Sequence, residues 1–143
     1  MQIARSVLAA IRRHLVAAYP AEACGFLVGT RRANGEVVVS HELPITNRRV
    51  ADGAARKRYL ISPDDFLSAE HDATASGLQI VGVYHSHPDV AARPSLYDQE
   101  HAWPWYPYLI VSVMGGAVRD ERVWELNDDR RAFAEQLLQI EEQ

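Results

Sequence analysis

Apolar residues near the start of the chain recur at helical spacing. Ile3, Val7, Ile11 and Leu15 lie four residues apart, and the nearby arginines fall off this stripe. Residues at this spacing share one face of an α-helix. The pattern therefore predicts an amphipathic helix that ends near Pro20, where proline stops helical hydrogen bonding.

Further along, short apolar runs bounded by turn residues are typical of strands. Asn34-Gly35 is typical of a two-residue hairpin turn, and Gly115-Gly116 is expected to turn the last strand back. The predicted strands are Cys24–Gly29, Val37–Val39, Tyr59–Ile61, Leu78–Tyr84, Tyr108–Val113 and Val118–Leu126.

Three more helices are expected between and after these strands. Ser62-Pro63 followed by two aspartates is typical of a helix start, and that helix should run to about Ser76. A short helix is predicted from Ser95 to about Ala102, and residues 130–140 have helical spacing of apolar residues. The order of elements predicts an α/β (α+β) fold, with one mixed sheet and helices packed on it.

Length and composition are typical of one soluble globular domain over residues 1–143. The chain is 48% apolar and 24% charged, with a net charge of −4. This balance argues against nucleic-acid binding, which needs a basic surface. The single cysteine, Cys24, allows no intramolecular disulfide, so a reducing, cytoplasmic location is expected. No apolar run is long enough to predict a membrane span.

Two histidines and an aspartate form a candidate metal site. On a strand, alternate residues face the same side, so His85 and His87 should present their imidazoles together. Asp98, one turn into the following helix, can face them. Two imidazoles and one carboxylate suit zinc, and three protein ligands leave the fourth position for a water molecule.

The wider pattern resembles the signature of the JAMM (MPN+) zinc metalloprotease family. Glu22 lies upstream of His85-x-His87, and seven residues separate that pair from Ser95-x-x-Asp98. Three surrounding segments also resemble the family: Glu22–Gly29, Val81–Tyr84 and Tyr108–Ser112.

This resemblance implies a fold and a role for each motif residue. The implied fold is cytidine-deaminase-like, with a mixed sheet between helices in three layers. His85, His87 and Asp98 would hold one zinc ion with a bound water, and Glu22 would act as general base and then acid. Ser95 would donate a hydrogen bond to the oxyanion of the tetrahedral intermediate.

Other interpretations of these residues stay open. Ser95-x-x-Asp98 also fits a helix capping box, which is compatible with a site role for Ser95. His101 and Cys24 are rival ligands, although a cysteine in an apolar strand usually behaves as a small hydrophobe. Ser86 could orient the site.

Two further segments have either a structural or a binding role. The basic residues within 48–58 form a solvated loop or a docking patch for an acidic protein. The aromatic and proline residues of 103–108 are structural or line a groove for an extended substrate tail.

The resemblance implies hydrolysis of an amide or isopeptide bond. Small stand-alone members of the family act on ubiquitin-like or sulfur-carrier proteins, at the bond after the C-terminal Gly-Gly. The alternative is a non-catalytic MPN-type scaffold. A zinc deaminase is excluded, because its Pro-Cys-x-x-Cys pair needs two cysteines. A homodimer is compatible with the sequence.

Overall fold

A computed structural model of the protein describes residues 1–45, 59, 61–104 and 106–142. No helix in these ranges is long and apolar enough to cross a membrane. The elements are, in chain order, β1 (Gln2–Ala4), α1 (Arg5–Ala18), β2 (Cys24–Arg31), β3 (Val37–Ile45), α2 (Pro63–Ala75), β4 (Gln79–Pro88), α3 (Leu96–His101), β5 (Pro107–Met114), β6 (Ala117–Leu126), β7 (Phe133–Gln136) and β8 (Gln139–Glu141).

The strands form one mixed sheet in the order β7-β6-β5-β4-β2-β3-β1-β8. Strand β4 lies at its centre, antiparallel to β2 and parallel to β5. Residues 80–87 of β4 are all buried, because helices cover both faces of the sheet there. Cys24 of β2 lies opposite His85 of β4 in this register.

Helix α1 packs its apolar stripe on one face of the sheet. Leu8, Ile11 and Leu15 are buried against a core that includes Leu27 of β2 and Leu109 of β5. Full burial of one such side chain contributes about 1.5–3 kcal/mol. The amphipathic helix predicted from the spacing is present, although its first turn begins at Arg5.

Helix α2 covers the opposite face and gives the fold its third layer. Ala69 of α2 packs with Phe26 and Val83 in a second apolar cluster. The helix begins where the sequence predicted, because the Ser62 hydroxyl accepts from the Asp65 amide and the Asp65 carboxylate accepts from the Ser62 amide, both at 3.1 Å. The predicted mixed sheet between helices is confirmed.

The predicted C-terminal helix is wrong: the tail forms β7 and β8. A helix would have placed Phe133, Leu137 and Ile140 on one buried face, but Leu137 is 71% exposed. Instead, β7 pairs with β6 and β8 pairs with β1, so the tail satisfies backbone groups at the two outer strands of the sheet. Strands β7 and β8 lie at opposite edges of the sheet, yet only two residues separate them in the chain. The sheet must therefore curl so that its two edges come close together.

Several predicted strands also need correction, among them β3, which continues past Val39 to Ile45. Tyr59 and Ile61 lie outside any strand, and Leu60 is outside the described residues. Strand β4 continues past Tyr84 to Pro88, because β5 pairs with it as far as the Pro88 position. Both histidines therefore lie within the strand.

Candidate metal centre

The two histidines of β4 and the aspartate of α3 meet at one buried point. His87 Nε2 lies 3.1 Å from Asp98 Oδ2, and His85 Nε2 lies 3.5 Å from Asp98 Oδ1. One potential ligand atom from each residue lies within 4.8 Å of the others. The three side chains that the sequence predicted as ligands are thus brought together.

A capping box holds the aspartate in place. The Asp98 amide donates to Ser95 Oγ at 3.1 Å, and Asp98 Oδ2 accepts from the Ser95 amide at 2.7 Å. The capping interpretation is therefore correct for the geometry. The capping box also orients the cluster, because the carboxylate that it holds faces both imidazoles.

His87 is oriented by the loop that follows β4. Its Nδ1 lies 2.9 Å from the carbonyl oxygen of Ala91, which can only accept a hydrogen bond. The proton on Nδ1 leaves Nε2 with a lone pair facing Asp98 Oδ2. Two acceptors 3.1 Å apart repel unless a cation lies with them, and either a proton or a metal ion can fill that role.

The electrostatics of the cluster agree with this requirement for a cation. Burial lowers the pKa of His87, but the hydrogen bond and negative charge of Asp98 outweigh it and the pKa is raised overall. Burial raises the pKa of Asp98, yet the two imidazoles and the Ser95 amide bring it well below its usual range. The carboxylate is therefore ionised beside the imidazoles.

His85 is the most enclosed member of the cluster. Its ring is fully buried and stacks on the ring of Tyr59 at a centroid distance of 4.4 Å. Burial lowers its pKa to about 4, so the ring is neutral at pH 7. Neither ring nitrogen has a hydrogen-bond partner among the described residues.

A buried polar atom without a partner is costly, and ligation would remove that cost for His85 Nε2. Two imidazole nitrogens and a carboxylate oxygen are donors that zinc prefers. The residues present therefore fit a zinc ion.

Glu22 lies beside the cluster through the pairing of β2 and β4. The Ser86 amide donates to the Ala23 carbonyl, and the Ala23 amide donates to Ser86 Oγ, both at 3.0 Å. Ala23 is thus opposite Ser86, which places Glu22 opposite His87 on the face that carries the imidazoles. Glu22 is 7% exposed, and its charge contributes to the raised pKa of His87.

The rival ligands are not members of the cluster found among the described residues, although Cys24 lies opposite His85 in the sheet. His101 Nδ1 donates to the Tyr97 carbonyl at 2.9 Å, and its ring stacks on the Tyr97 ring. Cys24 is buried, and burial raises its pKa to about 12, so the thiol keeps its proton. Neither belongs to the three-residue group.

Sequence reasoning missed two contributors to the site, Tyr59 and the Ala91 carbonyl. Nothing in the local sequence indicates that Tyr59 stacks on His85, since the two are 26 residues apart. Tyr59 also lines a cavity of about 270 Å³ beside the cluster. The other aromatic residues that line this cavity are Tyr97, His101, Trp103 and Tyr108.

The sequence left the roles of two segments open, and the structure describes most of only one of them. Trp103 and Tyr108 line this aromatic cavity, so part of the 103–108 segment borders the site. The basic residues of 48–58 lie outside the described residues.

A known family model covers most of the chain. The model of prokaryotic homologs of the JAB domain matches residues 4–127. The chain belongs to the prokaryotic JAB family. Together with the relatives described next, this match confirms the prediction of a small prokaryotic JAMM-type protein that acts as a hydrolytic peptidase. Strands β7 and β8 lie beyond the matched region of the JAB-family domain.

Similar proteins are found among curated sequences and solved structures. The desampylase of Haloferax volcanii is 36% identical over 111 residues, which cover 77% of this chain and 76% of that protein. The probable TtuB-protein conjugate cleaving protease of Thermus thermophilus is 30% identical over 115 residues, covering 80% and 72%. The solution structure of a Salinibacter ruber protein is 40% identical with a TM-score of 0.77, covering 99% and 92%.

Proposed function

We propose that this JAB-family protein is a zinc-dependent hydrolase of ubiquitin-like or sulfur-carrier protein conjugates. The bond cleaved is the amide or isopeptide bond after the carrier's C-terminal Gly-Gly. One observation carries the proposal: His85, His87 and Asp98 present three ligand atoms within 4.8 Å of one another, with Glu22 beside them.

His85, His87 and Asp98 would hold a single zinc ion. Bound there, zinc would supply Lewis-acid chemistry and lower the pKa of a water molecule toward about 7. The remaining chemistry belongs to the protein. Glu22, buried beside His87, accepts a proton from the attacking water and returns it to the leaving amine.

Ser95 has the proposed role of stabilising the negative charge that develops on the substrate carbonyl oxygen. Its oxygen already accepts from the Asp98 amide, which fixes the side chain within the capping box. The hydroxyl proton is not used in that bond, so it can donate to the substrate oxyanion. Removal of one such donor typically costs about 10²–10³ in rate.

The substrate class rests on the named activities of the relatives and on the enclosure of the site. Two of the curated relatives, the desampylase and the conjugate cleaving protease, carry names that describe enzymes acting on protein conjugates. His85 is fully buried and Asp98 is 3% exposed, so the scissile bond must reach inward. A Gly-Gly tail has no side chains to obstruct that approach.

The direct test uses carrier proteins extended beyond Gly-Gly by one amino acid or joined to a lysine peptide. The zinc-loaded protein should release the group after Gly-Gly, as read by mass, and a chelator should stop the release. A carrier with Ala-Ala in place of Gly-Gly is the matched control. If the protein bound no zinc and cleaved neither of the two Gly-Gly substrates, the MPN-type scaffold would be favoured.

A further inference from the structure

The orientation of His87 depends on a carbonyl in an exposed loop. Asp89, Val90 and Ala91 are exposed, yet the Ala91 carbonyl accepts the Nδ1 hydrogen bond of the buried His87 at 2.9 Å. An exposed irregular loop can exchange such bonds for water. Something must therefore hold this carbonyl in position.

Two side chains outside the cluster bind the carbonyls on either side of Ala91. The Ser112 hydroxyl donates to the Val90 carbonyl at 2.6 Å. The Trp124 indole Nε1–H donates to the Ala92 carbonyl at 2.9 Å. The peptide segment that carries the Ala91 carbonyl is thus held at both ends.

The positions of these two side chains in the sheet explain their reach. Ser112 is 1% exposed and lies directly opposite His87 in the parallel pairing of β4 and β5. Trp124 extends from β6, the next strand along. Ala92, whose carbonyl Trp124 binds, is fully buried. The rigid centre of the sheet is therefore linked to the loop at two points.

The entry into the loop is fixed as well. The Asp89 amide donates to the Val113 carbonyl at 2.8 Å. The Asp89 carboxylate accepts from the Gly115 amide at 2.8 Å and from the Tyr19 hydroxyl at 2.7 Å. Asp89 has a positive φ of 59°, which directs the chain out of β4 and back over its end.

We propose that Ser112 and Trp124 are positioning residues for the metal centre. By binding the Val90 and Ala92 carbonyls they fix the Ala91 carbonyl, which keeps the proton of His87 on Nδ1 and its Nε2 lone pair available for zinc. The inference rests on the proposed zinc site. Such outer hydrogen bonds usually change metal affinity because they orient the ligand and set its tautomer.

The test compares zinc affinities of Ser112→Ala, Trp124→Phe and the double variant, by competition with a chromophoric chelator. Trp124→Phe keeps an aromatic ring, removes the N–H donor and makes the side chain smaller. We expect each single change to weaken binding by up to about tenfold and the double change by about 10–100-fold. Ser112→Thr, which keeps a hydroxyl, should restore most of the affinity, and Ser40→Ala on the exposed part of β3 is the matched control.

A second measurement separates positioning from general stability. Long-range ¹H–¹⁵N spectra of the zinc-free protein at alkaline pH report which nitrogen of His87 carries the proton. The double variant should shift the tautomer from Nδ1–H toward Nε2–H. Zinc affinity within twofold of the parent in all variants, or an unchanged tautomer, would overturn the inference even if unfolding free energies fall.

The same design distinguishes failure of the inference from failure of the proposed function. If the parent protein bound no zinc, the proposed function would fail, while the tautomer shift would still test the role of the loop. If the double variant did not fold, Trp124→Phe alone would decide, since it removes one hydrogen bond and keeps an aromatic ring at that position.

Discussion

The hydroxyl of Ser86 accepts a hydrogen bond from the backbone amide of Ala23 at 3.0 Å, and this bond ties the segment carrying Glu22 to β4. We predict that Ser86→Ala lowers hydrolysis more than it lowers zinc affinity. The buried Ala23 amide loses its partner, at a cost of about 1–3 kcal/mol, and Glu22 is less well placed. A displacement near 1 Å can reduce catalysis about 100-fold.

Carrier cleavage at saturating zinc checks this prediction. Ser86→Thr is the control, because it keeps the hydroxyl. Full activity in Ser86→Ala would show that the Ala23 bond has no part in placing Glu22.

Glu22→Gln should retain zinc and lose hydrolysis. The Glu22 carboxylate is not among the three grouped ligands, although its charge acts on His87. An amide cannot accept the proton of the attacking water. Loss of a positioned general base costs about 10²–10⁴ in rate. Metal analysis and carrier cleavage are measured on the same sample. Glu141→Gln, on the exposed β8, is the control, and a parallel loss of zinc would make Glu22 a ligand.

Asp98→Ala should remove zinc, and His101→Ala should keep it. Asp98 also caps α3, so the cap has to be separated from the metal. Asp65→Ala is the matched control, because it breaks an equivalent capping box in α2 at a similar cost of about 1 kcal/mol. Zinc should remain bound in Asp65→Ala. Full zinc occupancy in Asp98→Ala would refute the ligand assignment.

The free energy of unfolding should fall as pH rises above about 9, partly through Cys24. Burial raises the pKa of this thiol to about 12, so above pH 9 the unfolded chain loses a proton that the folded chain keeps. Stability is then lost with rising pH, at no more than about 1.4 kcal/mol per pH unit for one group. Urea unfolding at about pH 8 and pH 10 measures the slope.

Cys24→Ala should reduce that slope without abolishing it. Tyr108 also contributes, because burial raises its pKa to about 12. An identical slope in the variant would rule out the thiol as a source. Native Cys24 should also resist alkylation, and react once the chain is unfolded.

Features that depend on neighbouring residues could be predicted from the sequence. Ser62 and Ser95 mark helix starts because their hydroxyls reach amides three residues ahead. His85 and His87 share a side because a strand alternates its side chains. The position of Asp98 one turn into the next helix indicated it as their companion, and the family motif added Glu22; their roles as ligand and base stay predictions.

The tertiary structure decided every relationship between distant residues. The placement of Glu22 opposite His87 needs the antiparallel pairing of β2 and β4. The support of the Ala91 carbonyl needs β5 and β6 beside the loop. The tail forms two strands rather than a helix because β6 and β1, at the two sides of the curled sheet, could hydrogen-bond to its backbone. Local spacing carries no information about those partners, since they are brought near only when the sheet forms.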